Sequence, residues 1–210
     1  MQAKPDWTQG EKYLRENAPE LIPFLEKYGP CTLVPDDKDI YFRVLLTGIA
    51  AQQLPPETSL AIMERLKELT GEPMLPEKVL ELTDQQLVDC GLTEVKAGYM
   101  KDFARALVDG TIDLDAFDEM EDSRIVKTLK TVKGLGQWTV ELFLMLSLCR
   151  QDVVPGDDFL LKREIQQLYG LDKLPKRGQV IRLTEKWRPW RSLGVWCLLK
   201  HSEEVEVKNG

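Results

Sequence analysis

The chain has 210 residues, 43% hydrophobic and 30% charged, with a formal net charge of −7; this is an ordinary globular composition, sized for one domain or two small lobes. No apolar run approaches the roughly 20 residues that span a bilayer, and the opening MQAKPDWTQGEKYL lacks the apolar core of a signal peptide, so an intracellular protein is expected. Cys31, Cys90, Cys149 and Cys197 stand 59, 59 and 48 residues apart and His201 is the single histidine, which argues against a clustered zinc or iron–sulfur site, a disulfide scaffold and a His-based triad.

The pattern reads as helix nearly throughout. Glu11 to Tyr28 carries Tyr13, Leu14, Leu21, Ile22, Phe24 and Leu25 at helical intervals, and Gly29-Pro30 stops it. Residues 39–51, DIYFRVLLTGIAA, predict a buried helix by length, although Ile, Tyr and Val also suit a strand. Pro55-Pro56-Glu57-Thr58 breaks the chain and opens the helix SLAIMERLKEL. Further helices are predicted at 76–82, 84–90, 94–109, 113–118 and 122–132, separated by Gly71, Pro73, Gly91 and Asp109-Gly110. The tail Glu203–Gly210 reads as disordered. Short helices on tight turns predict a compact all-α fold.

The most informative stretch is KTLKTVKGLGQWTVELFLMLSLCR, residues 127–150. An amphipathic helix ends at Thr131-Val132, Lys133-Gly134-Leu135-Gly136 makes a turn, and a very apolar helix begins at about Gln137. Two glycines around one hydrophobe allow backbone angles that other residues resist. Leu135 can anchor the turn while the N–H groups of Gly136 and the first helical turn face outward, an anion site suited to a DNA phosphate. Lys130 and Lys133 add positive charge. On its own, the same turn also reads as an ordinary helix–turn–helix corner. Charge is uneven along the chain: Lys127–Lys200 holds 14 Lys and Arg against 7 Asp and Glu, whereas the remainder holds 14 against 28. That distribution fits a basic working face on an acidic body.

After the hairpin comes Pro155-Gly156-Asp157-Asp158 and a new helix, FLLKREIQQLY. Asp157 and Asp158 stand at its N-terminus, where one of them can serve as the N-cap.

A phosphate-gripping turn, about 22 residues, then Pro-x-x-Asp and a basic helix resembles the helix-hairpin-helix (HhH-GPD) DNA glycosylase superfamily. Four segments are similar to its DNA-3-methyladenine glycosylase II branch: Ile49-Ala50-Ala51-Gln52-Gln53-Leu54, Cys90-Gly91-Leu92-Thr93-Glu94-Val95-Lys96-Ala97, Gly134-Leu135-Gly136-Gln137-Trp138-Thr139-Val140-Glu141 and Glu185-Lys186-Trp187-Arg188-Pro189-Trp190-Arg191-Ser192. The likeness runs from about residue 12 to 200.

The resemblance implies a single glycosylase unit of two helical lobes, one about 36–145 with the hairpin at 123–149, the other about 1–35 plus 146–210, with the active site in a cleft between them. It implies a monomer that flips a damaged nucleotide out of double-stranded DNA, in a short form without the branch's N-terminal β domain. Asp158 falls on the catalytic aspartate, which stabilises an oxocarbenium-like sugar cation and helps orient water; Asp157 is then the expected cap or orienter. Trp138 stands where bifunctional relatives hold a Schiff-base lysine, which implies water as nucleophile and no strand cleavage, and its ring would stack on an electron-poor alkylated base. Gln53 matches the wedge that fills the gap left by the flipped base. Lys133, Gly134, Gly136, Thr139 and Lys162 match phosphate or supporting contacts. The backbone carbonyls of Lys130, Val132 and Gly134 match the ligands of a structural Na+ or K+; no cofactor is implied for catalysis and no iron–sulfur cluster. Leu142 and Leu199 depart from the branch's aromatic residues, Ala51 replaces a glycine, and Pro55-Pro56 replaces a serine-containing segment after the wedge. A glycosylase for uracil or a deaminated or oxidised purine, and a non-catalytic DNA-binding module, remain as alternatives.

Overall fold

A computed structural model describes residues 5–209, apart from the side chains of Pro56 and of residues 206–209. The described residues form twelve α-helices joined by short 3-10 and π segments, with no strand among them. They divide into two compact units, 36–143 and 5–35 with 144–209. Among the described residues no helix is long and apolar enough to cross a membrane.

In the first unit, a 3-10 turn Lys38–Ile40 leads into α3 (Tyr41–Ala50). The expected buried helix is present: Tyr41, Leu45, Leu46, Ile49 and Ala50 are all at most 1% exposed. Burying each large apolar side chain there contributes about 2 kcal/mol. Around α3 are packed α4 (Pro56–Thr70), α7 (Glu94–Val108) and α9 (Gln137–Leu142), while α5 (Pro76–Glu81) and α6 (Asp84–Asp89) pack on α7. The approach to α9 is close because residue 48 is glycine: a Cβ there would lie 2.2 Å from Thr139 Cγ2. The helix expected at 113–118 is a 3-10 helix, Asp115–Glu119, whose Phe117 packs with Tyr41 against Phe143. The helix expected at 122–132 is α8 (Asp122–Leu129) and ends earlier. There the chain tightens into three-residue turns, Thr131 N–H to Thr128 O (3.1 Å) and Val132 N–H to Leu129 O (3.0 Å).

In the second unit, the single helix expected over Glu11–Tyr28 is two, α1 (Trp7–Asn17) and α2 (Ile22–Tyr28), joined by a 3-10 turn Pro19–Leu21. Pro19 is the cause: its ring disfavours helical angles at the preceding residue, and Ala18 takes φ −139, ψ 65. Also in this unit are α10 (Phe159–Leu168) and α11 (Arg177–Leu183), the latter not anticipated from the pattern. The tail 203–210, expected to be disordered, is instead the end of α12 (Arg191–Asn209), Gly210 lying outside the described residues. Tertiary pairing overrides its polar composition: Glu204 accepts the Tyr28 hydroxyl at 2.7 Å and pairs with Lys27 at 2.7 Å. α12 packs on α1, α2 and α10. All four cysteines are buried thiols, and His201 contacts buried Glu164 through Nδ1 at 2.7 Å.

Candidate active site

The hairpin's α8, turn and α9 lie in the first unit, and a π segment, Phe143–Ser147, follows α9. Gly134 takes φ +89, a left-handed angle natural to glycine, and a Cβ there would lie 2.6 Å from the Tyr99 ring. Leu135 is buried as expected, its N–H donating to Val132 O at 3.1 Å. Gly136 is the N-cap of α9 at φ −78, ψ 166, exposed, with nothing within 4 Å of where a Cβ would be. Open space, not backbone angle, distinguishes that position. The first helical bond is Val140 N–H to Gly136 O (3.1 Å), so the N–H groups of Gln137, Trp138 and Thr139 precede the ladder. Lys130 and Lys133 are exposed beside the turn, with Lys130 Nζ 3.2 Å from Gln137 Oε1. Trp138 is half-buried. The Thr139 side chain is buried against α3 at Gly48.

Of the three carbonyls matched to a monovalent cation, Val132 O accepts Leu135 N–H and Gly134 O accepts the Gln52 side-chain amide. A carbonyl oxygen has a second lone pair, so the set still fits a cation that takes neutral oxygen ligands.

The Gln52 hydrogen bond brings the turn that follows α3 to the hairpin. Gln53 follows at the tip of a tight turn, exposed, with φ +57. Non-glycine residues rarely take that angle, and such strain is concentrated at functional sites. Lys96, the third residue of α7, donates to Ala50 O at 2.7 Å and Gln52 O at 2.6 Å. Burial lowers its pKa.

Asp158 and Lys162 lie in the second unit. Pro155 and Gly156 turn the chain, with Asp158 N–H bonded to Pro155 O at 2.8 Å. Asp158 is the N-cap of α10: its side chain accepts Leu161 N–H at 2.8 Å and is 9% exposed. The capping role therefore falls on Asp158, not on Asp157. Asp157 instead meets Lys162 Nζ at 3.1 Å and Arg177 at 3.5 Å, because its position outside the helix turns it toward cations on α10 and α11. Phe159, next in line, is 60% exposed. Leu142 and Leu199 are half-buried, on α9 and α12 respectively.

Sequence reasoning missed what anchors the Asp158 loop. Arg191 grips Asp152 in a bidentate pair, Nε to Oδ1 at 2.6 Å and a second guanidinium nitrogen to Oδ2 at 2.9 Å. Ser192 Oγ donates to Arg150 O at 2.5 Å and accepts Val153 N–H at 2.9 Å. The segment Trp187–Ser192 matched a family motif, but only distances across about 40 positions reveal the clamp. In the same unit Glu20 accepts from Trp187 Nε1 (2.9 Å) and the Tyr169 hydroxyl (2.8 Å) and pairs with Lys186 (2.9 Å).

The described chain thus carries a buried carboxylate capping a helix on a clamped loop, a glycine hairpin and a glutamine turn at positive φ. The model of the HhH-GPD superfamily of base excision DNA repair proteins matches residues 46–189, and the chain belongs to that family. It is 26% identical over 202 residues to the alkylbase DNA glycosidase-like protein mag2 of Schizosaccharomyces pombe, covering 94% of this chain and 95% of that one. It is 29% identical over 193 residues to DNA-3-methyladenine glycosylase 1 of the same yeast, covering 90% and 84%. The solved structure of the S. pombe 3-methyladenine DNA glycosylase Mag1 in complex with abasic DNA superposes with a TM-score of 0.83 at 26% identity, covering 93% of this chain and 97% of that one.

Proposed function

We propose that this chain is an intracellular, monofunctional DNA glycosylase that hydrolyses the N-glycosidic bond of alkylated purines, the 3-methyladenine class, in duplex DNA. The observation that carries the reading is Asp158: a carboxylate 9% exposed, on a loop clamped by Arg191 and Ser192, at the position of the family's catalytic aspartate. Relatives named as 3-methyladenine glycosylases support the substrate class.

Breaking the bond builds positive charge on the sugar. The Asp158 carboxylate stabilises that charge, and its cap to Leu161 fixes the side chain, so little reorganisation accompanies the reaction. Water then attacks the sugar carbon and gives up a proton to the surrounding solvent. An alkylated purine leaves as a neutral base because it starts cationic, so no strong acid is needed. Trp138 stacks on the electron-poor ring; its indole cannot form a Schiff base, which supports hydrolysis without strand cleavage. Gln53 fills the gap left by the flipped base. Lys133 and the N–H groups around Gly136 hold phosphate, with Lys162 placed as a supporting cation. A Na+ or K+ on the carbonyls of Lys130, Val132 and Gly134 would add positive charge to the hairpin and take no part in bond cleavage.

The test is release of methylated purines from alkylated DNA, read by chromatography and mass. Wild type is expected to release them, Asp158→Asn is expected not to, and borohydride is expected to trap no covalent complex. Equal release by Asp158→Asn removes Asp158 from its role; a trapped complex overturns monofunctionality. A panel of duplexes with single methylated, deaminated or oxidised bases separates the substrate classes.

A further inference from the structure

Gln53 is held in an unusual state by contacts that the wedge reading does not use. At φ +57 its backbone is in a region that non-glycine residues leave unless their surroundings hold them there. Two tethers converge on the residue just before it. Lys96 Nζ donates to Gln52 O at 2.6 Å and to Ala50 O at 2.7 Å, spanning the end of α3 and the start of the turn. The Gln52 side-chain amide donates to Gly134 O in the hairpin turn.

One face of α7 organises both turns. Lys96 and Tyr99 are three residues apart and share that face. Lys96 holds the Gln52 carbonyl, and the Tyr99 ring packs where a Gly134 Cβ would be, 2.6 Å away. α7 is itself fixed at its start, where the Thr93 hydroxyl accepts Lys96 N–H at 3.3 Å.

We propose that Lys96 and Gln52 are positioning residues that hold the Gln53 turn preset against the hairpin, making phosphate gripping and wedge insertion one rigid device. The inference rests on the reading of Gln53 as the wedge. Preorganisation lowers the ordering cost at the moment of insertion, so its loss acts on nucleotide flipping and not on general affinity for duplex.

The experiment is a double-mutant cycle of Lys96→Met and Gln53→Ala on a duplex with one 7-methylguanine beside 2-aminopurine. Flipping is read as the 2-aminopurine fluorescence rise, excision as the single-turnover rate, and gripping as affinity for undamaged duplex. Lys96→Met is expected to lower the fluorescence rise and slow excision roughly tenfold, with undamaged-duplex affinity changed by less than about twofold. Lys96→Arg, which keeps donors for both carbonyls, is expected to recover most of the loss. In the Gln53→Ala background, Lys96→Met is expected to cost less than about twofold more, because both changes act on one insertion step. Gln52→Ala tests the other tether and serves if Lys96→Met does not fold. A Gln53→Ala protein that flips normally overturns the wedge reading and this inference with it. If Gln53→Ala loses flipping while Lys96→Met and Gln52→Ala keep it, the inference alone falls. Full additivity, or a parallel loss of undamaged-duplex affinity, also overturns it.

Discussion

The Oδ1 atom of Asp158 accepts the backbone N–H of Leu161 at 2.8 Å, so the residue proposed to stabilise the sugar cation is also the N-cap of α10. The two roles separate by mutation. Asparagine caps as well as aspartate, whereas alanine does not cap. Asp158→Asn is expected to melt within a degree or two of wild type yet to lose at least about 100-fold in single-turnover rate. Asp158→Ala is expected to lose the same activity and about 1 kcal/mol of stability as well. Thermal melts beside excision assays check both; an active Asp158→Asn would leave only the cap.

The hairpin glycines predict opposite outcomes. At Gly134, alanine must take φ +89 and meet the Tyr99 ring at 2.6 Å, and Gly134→Ala is expected to cost about 2–3 kcal/mol. At Gly136 the backbone is ordinary and the space open, so Gly136→Ala is expected to keep stability and weaken duplex binding about tenfold by crowding a phosphate. Denaturation and fluorescence anisotropy distinguish these; a stable Gly134→Ala protein would refute the first.

Arg191 and Asp152 join the start of α12 to the loop before Asp158 by three short bonds, two to the carboxylate and one to the backbone carbonyl, with the Arg191 side chain only 9% exposed. Arg191→Met leaves Asp152 without its bidentate partner. The expected loss is about 1–3 kcal/mol of stability, with a fall in excision rate at temperatures where the variant is still folded. A variant that melts like wild type would show that the loop holds without the clamp.

Glu20 gives a pH-dependent test. Burial raises its pKa, but hydrogen bonds from Trp187, Lys186 and Tyr169 outweigh that and leave it below the ordinary carboxylate value. A carboxylate with a lowered folded-state pKa contributes stability above its unfolded pKa and loses it as pH falls through the folded value. Glu20→Gln is therefore expected to be less stable than wild type at neutral pH, the gap closing in acid below the ordinary carboxylate range. Urea midpoints across pH measure this; a constant gap would mean Glu20 acts by shape alone.

Much of the fold was legible because local chemistry wrote it. The apolar spacing of residues 39–51, the stops at Gly29-Pro30 and Gly71, and the Gly134-Leu135-Gly136 turn each act through neighbouring atoms. Where reading failed, a local signal was overlooked or a distant one prevailed. Pro19 broke the N-terminal helix through its own ring. The last turns of α12 formed because Glu204 meets Lys27 and Tyr28, 177 and 176 positions away.

The candidate site divides in the same way. The sequence by itself determined the residue types: an aspartate after Pro-Gly, a tryptophan whose indole cannot form a Schiff base, and glycines at the turn, since these are chemical properties of the residues themselves. Only the tertiary structure decided that Asp158 and not Asp157 is the cap, that Arg191 and Ser192 clamp its loop, and that Lys96 and Gln52 tie the Gln53 turn to the hairpin. Those are contacts between carbonyls, amides and charges far apart in the chain, and no spacing rule encodes a distance that only folding creates.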